Sequence, residues 1–216
     1  MADVILFDLD GTLVDTAPDL AYALNLQRER HGLTALPLDD IRPFASHGSR
    51  GLLHKGFGLT MDNPEFETMR TEYLAIYDEV FARSPVLFSG MAEVLAHIES
   101  QGLRWGVVTN KPRRFTEPMM HVMGLSRRAA CVVSGDDAAR AKPYPDTLLL
   151  ACTQMSVKPQ QCLYIGDAER DIEAGRTAGM KTVLAMYGYL DEQDQTEQWG
   201  ADATIEQPLD LIALIN

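Results

Sequence analysis

Residues 4–16 read Val4-Ile5-Leu6-Phe7-Asp8-Leu9-Asp10-Gly11-Thr12-Leu13-Val14-Asp15-Thr16. The apolar run before Asp8 predicts a short strand that is buried on both faces. In open α/β sheets ligands bind beyond the carboxyl ends of the strands, so a site is expected there. Side chains alternate along a strand, which predicts Asp8 and Asp10 on the same side, where their repulsion favours a bound cation. Mg2+ prefers such oxygen ligands. The alternative is a pair of turn or helix-capping residues.

The composition restricts the classes of protein to which the chain can belong. Its 216 residues are 46% hydrophobic, which is enough for one core and a smaller accessory domain. A net charge of -12 argues against a nucleic-acid partner, and no apolar run predicts a membrane span. The start predicts no signal peptide. Three widely spaced cysteines predict reduced thiols, and we therefore expect a cytoplasmic protein.

Two kinds of pattern divide the chain. From 16 to 82 the apolar residues recur at helical spacing, interrupted by a polar turn at 46–51, and no strand is predicted there. Beyond residue 82 predicted strands and helices alternate, which indicates a parallel sheet covered on both faces. The expected fold is α/β, with a doubly wound, Rossmann-like parallel sheet core and an inserted all-helical cap domain. The predicted core comprises 1–15 and 83–216, and the predicted cap comprises 16–82.

Further polar residues follow later predicted strands. Thr109 and Asn110 end the second predicted strand of the chain, counted from the one before Asp8. A hydroxyl with a following backbone N–H suits a phosphate oxygen. Lys142 stands in a proline-stiffened turn, and Asp167 and Asp171 follow the fourth strand. Singly, these residues could be helix caps or solvated loop residues. Together they predict a phosphate site at one edge of the sheet.

The order Asp8-Leu9-Asp10-Gly11-Thr12, Thr109-Asn110, Lys142-Pro143 and Gly166-Asp167 through Asp171 resembles the four motifs of the haloacid dehalogenase-like hydrolases. The position of the cap matches the subgroup of phosphoglycolate phosphatase and β-phosphoglucomutase. The segment Val107–Pro112 is similar to phosphoglycolate phosphatases. Other segments, 105–118, 187–189 and 199–202, resemble the related N-acetylmuramic acid 6-phosphate phosphatases.

The resemblance implies a Mg2+-dependent phosphatase that forms an aspartyl-phosphate. Asp8 would be the nucleophile and Asp10 the general acid and base. Thr109, Asn110 and Lys142 would bind the phosphate. The metal would be held by Asp8, the backbone carbonyl of Asp10 and Asp167, with Asp171 orienting Lys142 or the metal's waters. The presence of Asp10 favours phosphoryl transfer over dehalogenation.

The substrate is less defined than the chemistry. We expect a small phosphorylated metabolite, with 2-phosphoglycolate first, N-acetylmuramic acid 6-phosphate as the alternative, and a phosphomutase as a different class. The turn in the predicted cap offers His47, Gly48, Ser49 and Arg50 as substrate-binding candidates. Arg50 could pair with a substrate carboxylate, or the turn could be an ordinary solvated one. A monomer and a homodimer are equally compatible with the sequence.

Overall fold

The fold is built on a sheet of six parallel strands, as seen in a computed structural model that describes residues 3–215. The strands of this sheet are β1 (Val4–Phe7), β4 (Arg104–Val108), β5 (Val132–Val133), β6 (Cys162–Gly166), β7 (Lys181–Ala185) and β8 (Ala203–Ile205). Their order is β5-β4-β1-β6-β7-β8, and every neighbouring pair is parallel. All six strands therefore end at the same edge of the sheet, which confirms the predicted fold class.

The α-helices make up the largest share of the secondary structure outside this sheet. They are α1 (Ala17–Arg30), α2 (Leu38–Ala45), α3 (Gly48–Phe57), α4 (Phe66–Val80), α5 (Met91–Ser100), α6 (Arg113–Val122), α7 (Asp146–Met155), α8 (Glu169–Ala178) and α9 (Leu211–Ile215). The first four follow one another without an intervening strand, and we call α1–α4 the four-helix segment. Two short strands, β2 (Val14–Asp15) and β3 (Val86–Leu87), pair antiparallel on either side of it. The domain boundaries themselves remain a prediction.

Strand β1 is central because its residues are apolar on both faces. Ile5 and Phe7 pack in the cluster that contains Trp105, while Val4 and Leu6 pack in a second cluster across the sheet. All four side chains of β1 are fully buried. Burial of each large apolar side chain contributes about 1.5–3 kcal/mol, so this strand is fixed firmly in the sheet. Asp8 is therefore anchored at the end of a rigid strand.

The four-helix segment has its own apolar cluster. Leu24, Ile41, Leu52 and Leu53 are fully buried in it, one or more from each of α1, α2 and α3. Helix α4 adds further buried residues, among which Tyr73, Ile76 and Tyr77 are almost completely buried. Phe115 and Tyr189, which lie outside the four-helix segment in sequence, complete the cluster. These two aromatic residues join the segment to the edge of the sheet where the strands end.

The predicted polar turn at 46–51 is wrong in one respect, because most of it is the first part of α3. Glycines there suggested a turn, but Gly51 is inside the helix. A Cβ at Gly51 would lie 2.7 Å from the backbone oxygen of Phe44, so close packing of α2 on α3 explains this glycine. The sequence also predicts that Pro43 ends the preceding helix, because proline disrupts the hydrogen bonding of a helix interior. Pro43 lies within α2, which continues to Ala45 and buries Ile41.

Several short elements had no predicted counterpart. Strands β2 and β3 have two residues each and β8 has three, too few for side-chain alternation to show. The sequence predicts helices at about 116–123 and 209–215, whereas α6 begins at Arg113 and α9 begins at Leu211. These differences lie at the ends of elements, where sequence patterns are weakest.

Candidate active site

One cavity of about 890 Å³ lies over the edge at which the strands end. Asp8 follows β1, Thr109 and Asn110 follow β4, and Asp167 follows β6. These residues all line the cavity, as do Asp10 and Lys142. The predicted core residues are thus brought together, apart from Asp171, which lies buried behind them.

Lys142 is the electrostatic centre of the site. Its buried Nζ lies 2.9 Å from Oδ1 of Asp8 and 2.7 Å from Oδ1 of Asp171. It also donates to the hydroxyl of Tyr164 at 2.8 Å. Burial alone would raise the pKa of Asp171, but the Lys142 and Arg170 cations hold it below its ordinary value. Of the two roles predicted for Asp171, this contact favours orientation of Lys142.

Asp8 is bound through one of its oxygens. Oδ1 accepts the backbone N–H of Leu9 at 2.7 Å in addition to the Lys142 ammonium. Among residues 3–215, no hydrogen bond is made to Oδ2. Burial raises the pKa of Asp8, while Lys142 opposes that rise and the neighbouring Asp171 adds to it. One carboxylate oxygen is therefore oriented by the protein and the other is available for chemistry.

Asp167 occupies a space that glycines create. A Cβ at Gly11 would lie 2.2 Å from Oδ2 of Asp167, and one at Gly188 would lie 2.2 Å from its Cβ. The carboxylate accepts hydrogen bonds from the Thr12 hydroxyl and the Tyr189 backbone N–H, both at 2.9 Å. Within the described residues it has no salt bridge. Burial, with the nearby Asp171 and Asp8 charges, raises its pKa to about 7.

These carboxylates suit a divalent cation. Asp8, Asp167 and Asp171 each offer an oxygen within 4.8 Å of the others, and all three residues are buried. Lys142 forms salt bridges to Asp8 and Asp171 but not to Asp167, and the charge of Arg170 lowers the pKa of all three carboxyls without forming a salt bridge to any of them. The raised pKa of Asp167 reflects this incomplete compensation. Hard carboxylate oxygens are the donors that Mg2+ and similar ions prefer. The residues present therefore fit a metal site.

Asp10 lines the same cavity as Asp8, but it follows a turn and not an extended strand. Strand β1 ends at Phe7 and the chain turns, so the alternation of an extended strand no longer applies at Asp10. Its Oδ1 accepts the Thr16 hydroxyl at 2.5 Å and contacts Nζ of Lys111 at 3.0 Å. The carboxylate lines the cavity but is not one of the three that cluster. Asp8 and Asp10 are therefore held by different cations.

The residues predicted to bind phosphate are fixed by the chain itself. Asn110 donates through Nδ2 to the carbonyl of Lys142 and accepts its N–H through Oδ1, both at 2.9 Å. Its side chain thus holds the lysine loop, leaving its backbone N–H as the predicted donor to phosphate. The Thr109 hydroxyl accepts the N–H of Lys111 at 3.1 Å, so its own proton can point into the cavity.

The remaining candidates, 47–50, belong to the four-helix segment. His47, Gly48, Ser49 and Arg50 all line the same cavity as Asp8. Burial, together with the Arg170 and Arg50 charges, lowers the pKa of His47. A substrate large enough to fill the cavity would therefore contact both the sheet edge and the start of α3, and the roles of these four residues in binding remain predictions.

The sequence reasoning missed three residues of this site. Lys111 bridges Asp10 and the Tyr77 hydroxyl, and Arg170 donates to the Ser46 hydroxyl at 2.9 Å. Tyr189 accepts the backbone N–H groups of Thr16 and Ala17 at 2.7 and 2.9 Å. Lys111 and Arg170 stood inside quoted motifs, so their positions beside Asn110 and Asp171 were a usable signal. Nothing in the sequence pairs Tyr189 with residues more than 170 positions away.

Comparison with known proteins agrees with this geometry. Residues 5–185 match the family described as haloacid dehalogenase-like hydrolase, and the chain belongs to that family. It is 44% identical to the N-acetylmuramic acid 6-phosphate phosphatase of Pseudomonas aeruginosa, covering 98% of this chain and 94% of that protein. It is 39% identical to the phosphoglycolate phosphatase of Xanthomonas campestris pv. campestris, covering 94% and 92%.

A solved structure shows the same fold. It is that of a protein described as a predicted phosphoglycolate phosphatase from Haemophilus somnus 129PT, with a TM-score of 0.85 and 25% identity. The match covers 100% of this chain and 98% of the other. The predictions of family and of a phosphoric monoester hydrolase are confirmed at this level. In residues 3–215 no helix has the length and hydropathy needed to cross a membrane.

Proposed function

We propose that the protein is a Mg2+-dependent phosphatase that acts through an aspartyl-phosphate on Asp8. The observation that carries this proposal is the state of Asp8 at the base of the cavity. One of its oxygens is held by Lys142 and the Leu9 N–H, and the other accepts no hydrogen bond among residues 3–215. A nucleophile needs this combination of fixed orientation and a free lone pair.

The reaction has two steps. The free oxygen of Asp8 attacks phosphorus, the bond from phosphorus to the ester oxygen breaks, and Asp10 gives its proton to the departing alkoxide. Water then attacks the phosphorus of the aspartyl-phosphate as Asp10 takes its proton. The bond from phosphorus to the Asp8 oxygen breaks, which releases phosphate and restores the carboxylate. Lys142 and the donors of Thr109 and Asn110 stabilise the charge that develops on the phosphoryl oxygens.

Asp8, Asp167 and the backbone carbonyl of Asp10 would hold the Mg2+, with Asp171 kept on Lys142. When bound, the ion reduces the repulsion between the Asp8 carboxylate and an anionic phosphate. The chain's own contribution is to keep these oxygens together. The glycine-lined space around Asp167 and the salt bridges of Lys142 support that role.

For the substrate we propose N-acetylmuramic acid 6-phosphate rather than 2-phosphoglycolate, which the sequence had ranked first. A cavity of about 890 Å³ lies within the range of roughly 300–1,000 Å³ typical of drug-sized ligands. A two-carbon ester would fill a small part of it, whereas a phosphorylated amino sugar would span from Asp8 to the start of α3. The 44% identity to a phosphatase named for this sugar phosphate supports the same choice.

The carboxylate of this substrate would bind at the start of α3. Arg50 lines the cavity and forms no salt bridge among the described residues, so its guanidinium is available for an anion. The Arg170 guanidinium also lies on the cavity wall. Both candidate substrates carry a carboxylate, and 2-phosphoglycolate remains the second candidate because a relative at 39% identity bears that name.

The discriminating experiment is phosphate release with Mg2+ present. We expect kcat/KM for N-acetylmuramic acid 6-phosphate to exceed that for 2-phosphoglycolate, because the ratio reports differential binding of the two transition states. The reverse order would reject the proposed substrate while leaving the chemistry intact. Isomerisation of glucose 1-phosphate without phosphate release would instead indicate a mutase.

We also propose that the enzyme acts in the cytoplasm. Its three cysteines, Cys131, Cys152 and Cys162, are free and buried. Sγ of Cys152 lies 3.8 Å from Sγ of Cys162 without a disulfide between them. Unpaired thiols this close together are compatible with a reducing compartment.

A further inference from the structure

Lys111 is a buried cation that the proposed reaction does not yet use. Its Nζ lies 3.0 Å from Oδ1 of Asp10 and 2.9 Å from the hydroxyl of Tyr77. The side chain of Lys111 is 6% exposed, and a lysine buried to this degree requires a partner of opposite charge. Asp10 is that partner, so the position of one side chain is coupled to that of the other.

The contacts of Asp10 are unequal at its two oxygens. Lys111 and the Thr16 hydroxyl both bind Oδ1, and within residues 3–215 no donor reaches Oδ2. The side chain of Asp10 is 18% exposed and lines the cavity. Oδ2 is therefore the oxygen that can exchange a proton with the substrate, provided that Oδ1 stays anchored.

The second contact of Lys111 reaches the four-helix segment. Tyr77 belongs to α4, where its ring stacks on Tyr73 at 6.2 Å and packs against Phe115 at 5.0 Å. The Lys111 ammonium also lies 5.0 Å from the centre of the Tyr77 ring. Lys111 thus joins the predicted general acid to the helix that covers it.

We propose that Lys111 is a positioning residue for leaving-group protonation, which holds Oδ1 of Asp10 so that Oδ2 faces the ester oxygen. Its hydrogen bond to Tyr77 makes this orientation depend on the placement of α4. The inference rests on the proposed function, in which a proton passes from Asp10 to the departing oxygen as its bond to phosphorus breaks.

The test uses the different demands of two leaving groups. An alkoxide leaves with the help of a proton, whereas p-nitrophenolate leaves without one. The parameter kcat/KM reports steps up to the first irreversible one, here transfer of the phosphoryl group to Asp8. A defect in proton donation therefore lowers kcat/KM for an alkyl phosphate and leaves the value for p-nitrophenyl phosphate nearly unchanged. A general structural defect lowers both.

The variants are Lys111→Met, Lys111→Arg and Tyr77→Phe, with Lys181→Met as the matched control. Lys181 is exposed at the start of β7, at the opposite edge of the sheet. General acid catalysis contributes about 10²–10⁴-fold, and we expect Lys111→Met to lose about 10- to 100-fold on the better of the two alkyl substrates above. Loss on p-nitrophenyl phosphate should stay below about threefold. Lys111→Arg should recover part of the alkyl activity, and Tyr77→Phe should show a smaller loss of the same selectivity.

Asp10→Asn separates failure of this inference from failure of the proposed function. If Asp10→Asn is selective for the alkyl ester but Lys111→Met and Tyr77→Phe affect both esters equally or neither, Lys111 does not position the acid. If Asp10→Asn itself loses both activities equally, the assignment of Asp10 as the leaving-group acid is wrong. Tyr77→Phe keeps the ring and its packing, so the comparison survives even if Lys111→Met does not fold.

Discussion

Replacement of Asp167 by asparagine should stabilise the metal-free protein while abolishing its activity. Folding raises the pKa of this carboxyl from 3.8 to about 7. At about 1.4 kcal/mol per pKa unit, keeping the group ionised in the folded state costs about 4 kcal/mol at high pH. A carboxyl whose pKa is raised by folding costs nothing below its unfolded pKa. Its cost grows as the pH rises and is complete above about pH 7.

Asparagine fits the same space because it has the shape of aspartate. Its oxygen can accept the Tyr189 N–H, and its amide nitrogen can donate to the Thr12 hydroxyl, which rotates to accept. The hydrogen bonds are thus kept and the charge is removed. We expect a gain in the free energy of unfolding of about 2–4 kcal/mol at pH 8 and of less than about 2 kcal/mol at pH 5.

The assay is urea unfolding in EDTA at pH 5, 6, 7 and 8, repeated with Mg2+. Mg2+ should stabilise the unchanged protein at pH 8 by binding the folded state, and it should stabilise Asp167→Asn much less. Asp40→Asn, at an exposed position on α2, serves as the matched control. The reasoning is refuted if Asp167→Asn is less stable than the unchanged protein in EDTA at pH 8, or if the two stabilities change with pH in parallel.

Three other replacements test separate parts of the site. Lys142→Met should lower the free energy of unfolding by about 3–5 kcal/mol, because it leaves Asp8 and Asp171 buried without their cation. Urea unfolding near pH 8 measures this loss, and an unchanged midpoint would contradict the prediction. Arg50→Gln should raise KM for carboxylate-bearing substrates about tenfold and leave KM for p-nitrophenyl phosphate nearly unchanged. Replacement of the exposed Arg127 by glutamine is the control. Equal effects on both kinds of substrate would reject a carboxylate site. Tyr189→Phe should cost about 1–3 kcal/mol of stability in thermal unfolding, because it removes the acceptor of two buried N–H groups at the start of α1. A loss below about 0.5 kcal/mol would show that water replaces the hydroxyl.

The sequence was sufficient for the sheet apart from β8, because most of its strands are long enough for their apolar character to show. The apolar run of β1 and the five-residue strands β4 and β6 are each followed by polar residues, and parallel pairing brings those residues to one edge. The positions of Asp8, Thr109 and Asp167 follow from this rule alone, whereas Lys142 lies in the loop between β5 and α7. Their meeting in one cavity required no knowledge of side-chain contacts.

The remaining contacts depend on tertiary packing, which a local pattern does not encode. Asp10 is held by Thr16 and Lys111, which lie six and 101 positions away in the sequence. The motifs of the sequence assign no role to Lys111. The sequence left open whether the start of α3 faces the cavity. A glycine at position 51 is typical of a turn, and only the close packing of α2 on α3 explains its place within a helix. The alternation of side chains along a strand predicts Asp8 and Asp10 on the same side only if the chain stays extended beyond Phe7. The structure brings both to the cavity by a turn instead.

The most direct test of the proposed chemistry is to trap the phosphorylated enzyme. The protein would be mixed with substrate and Mg2+, quenched in acid during turnover, and mapped by mass spectrometry for a phosphoryl group that hydroxylamine removes. We predict that the group lies on Asp8 and is absent from Asp8→Asn, which should fold normally but show no turnover. Rapid turnover with no phosphorylated aspartate, or with the group on another residue, would contradict the account.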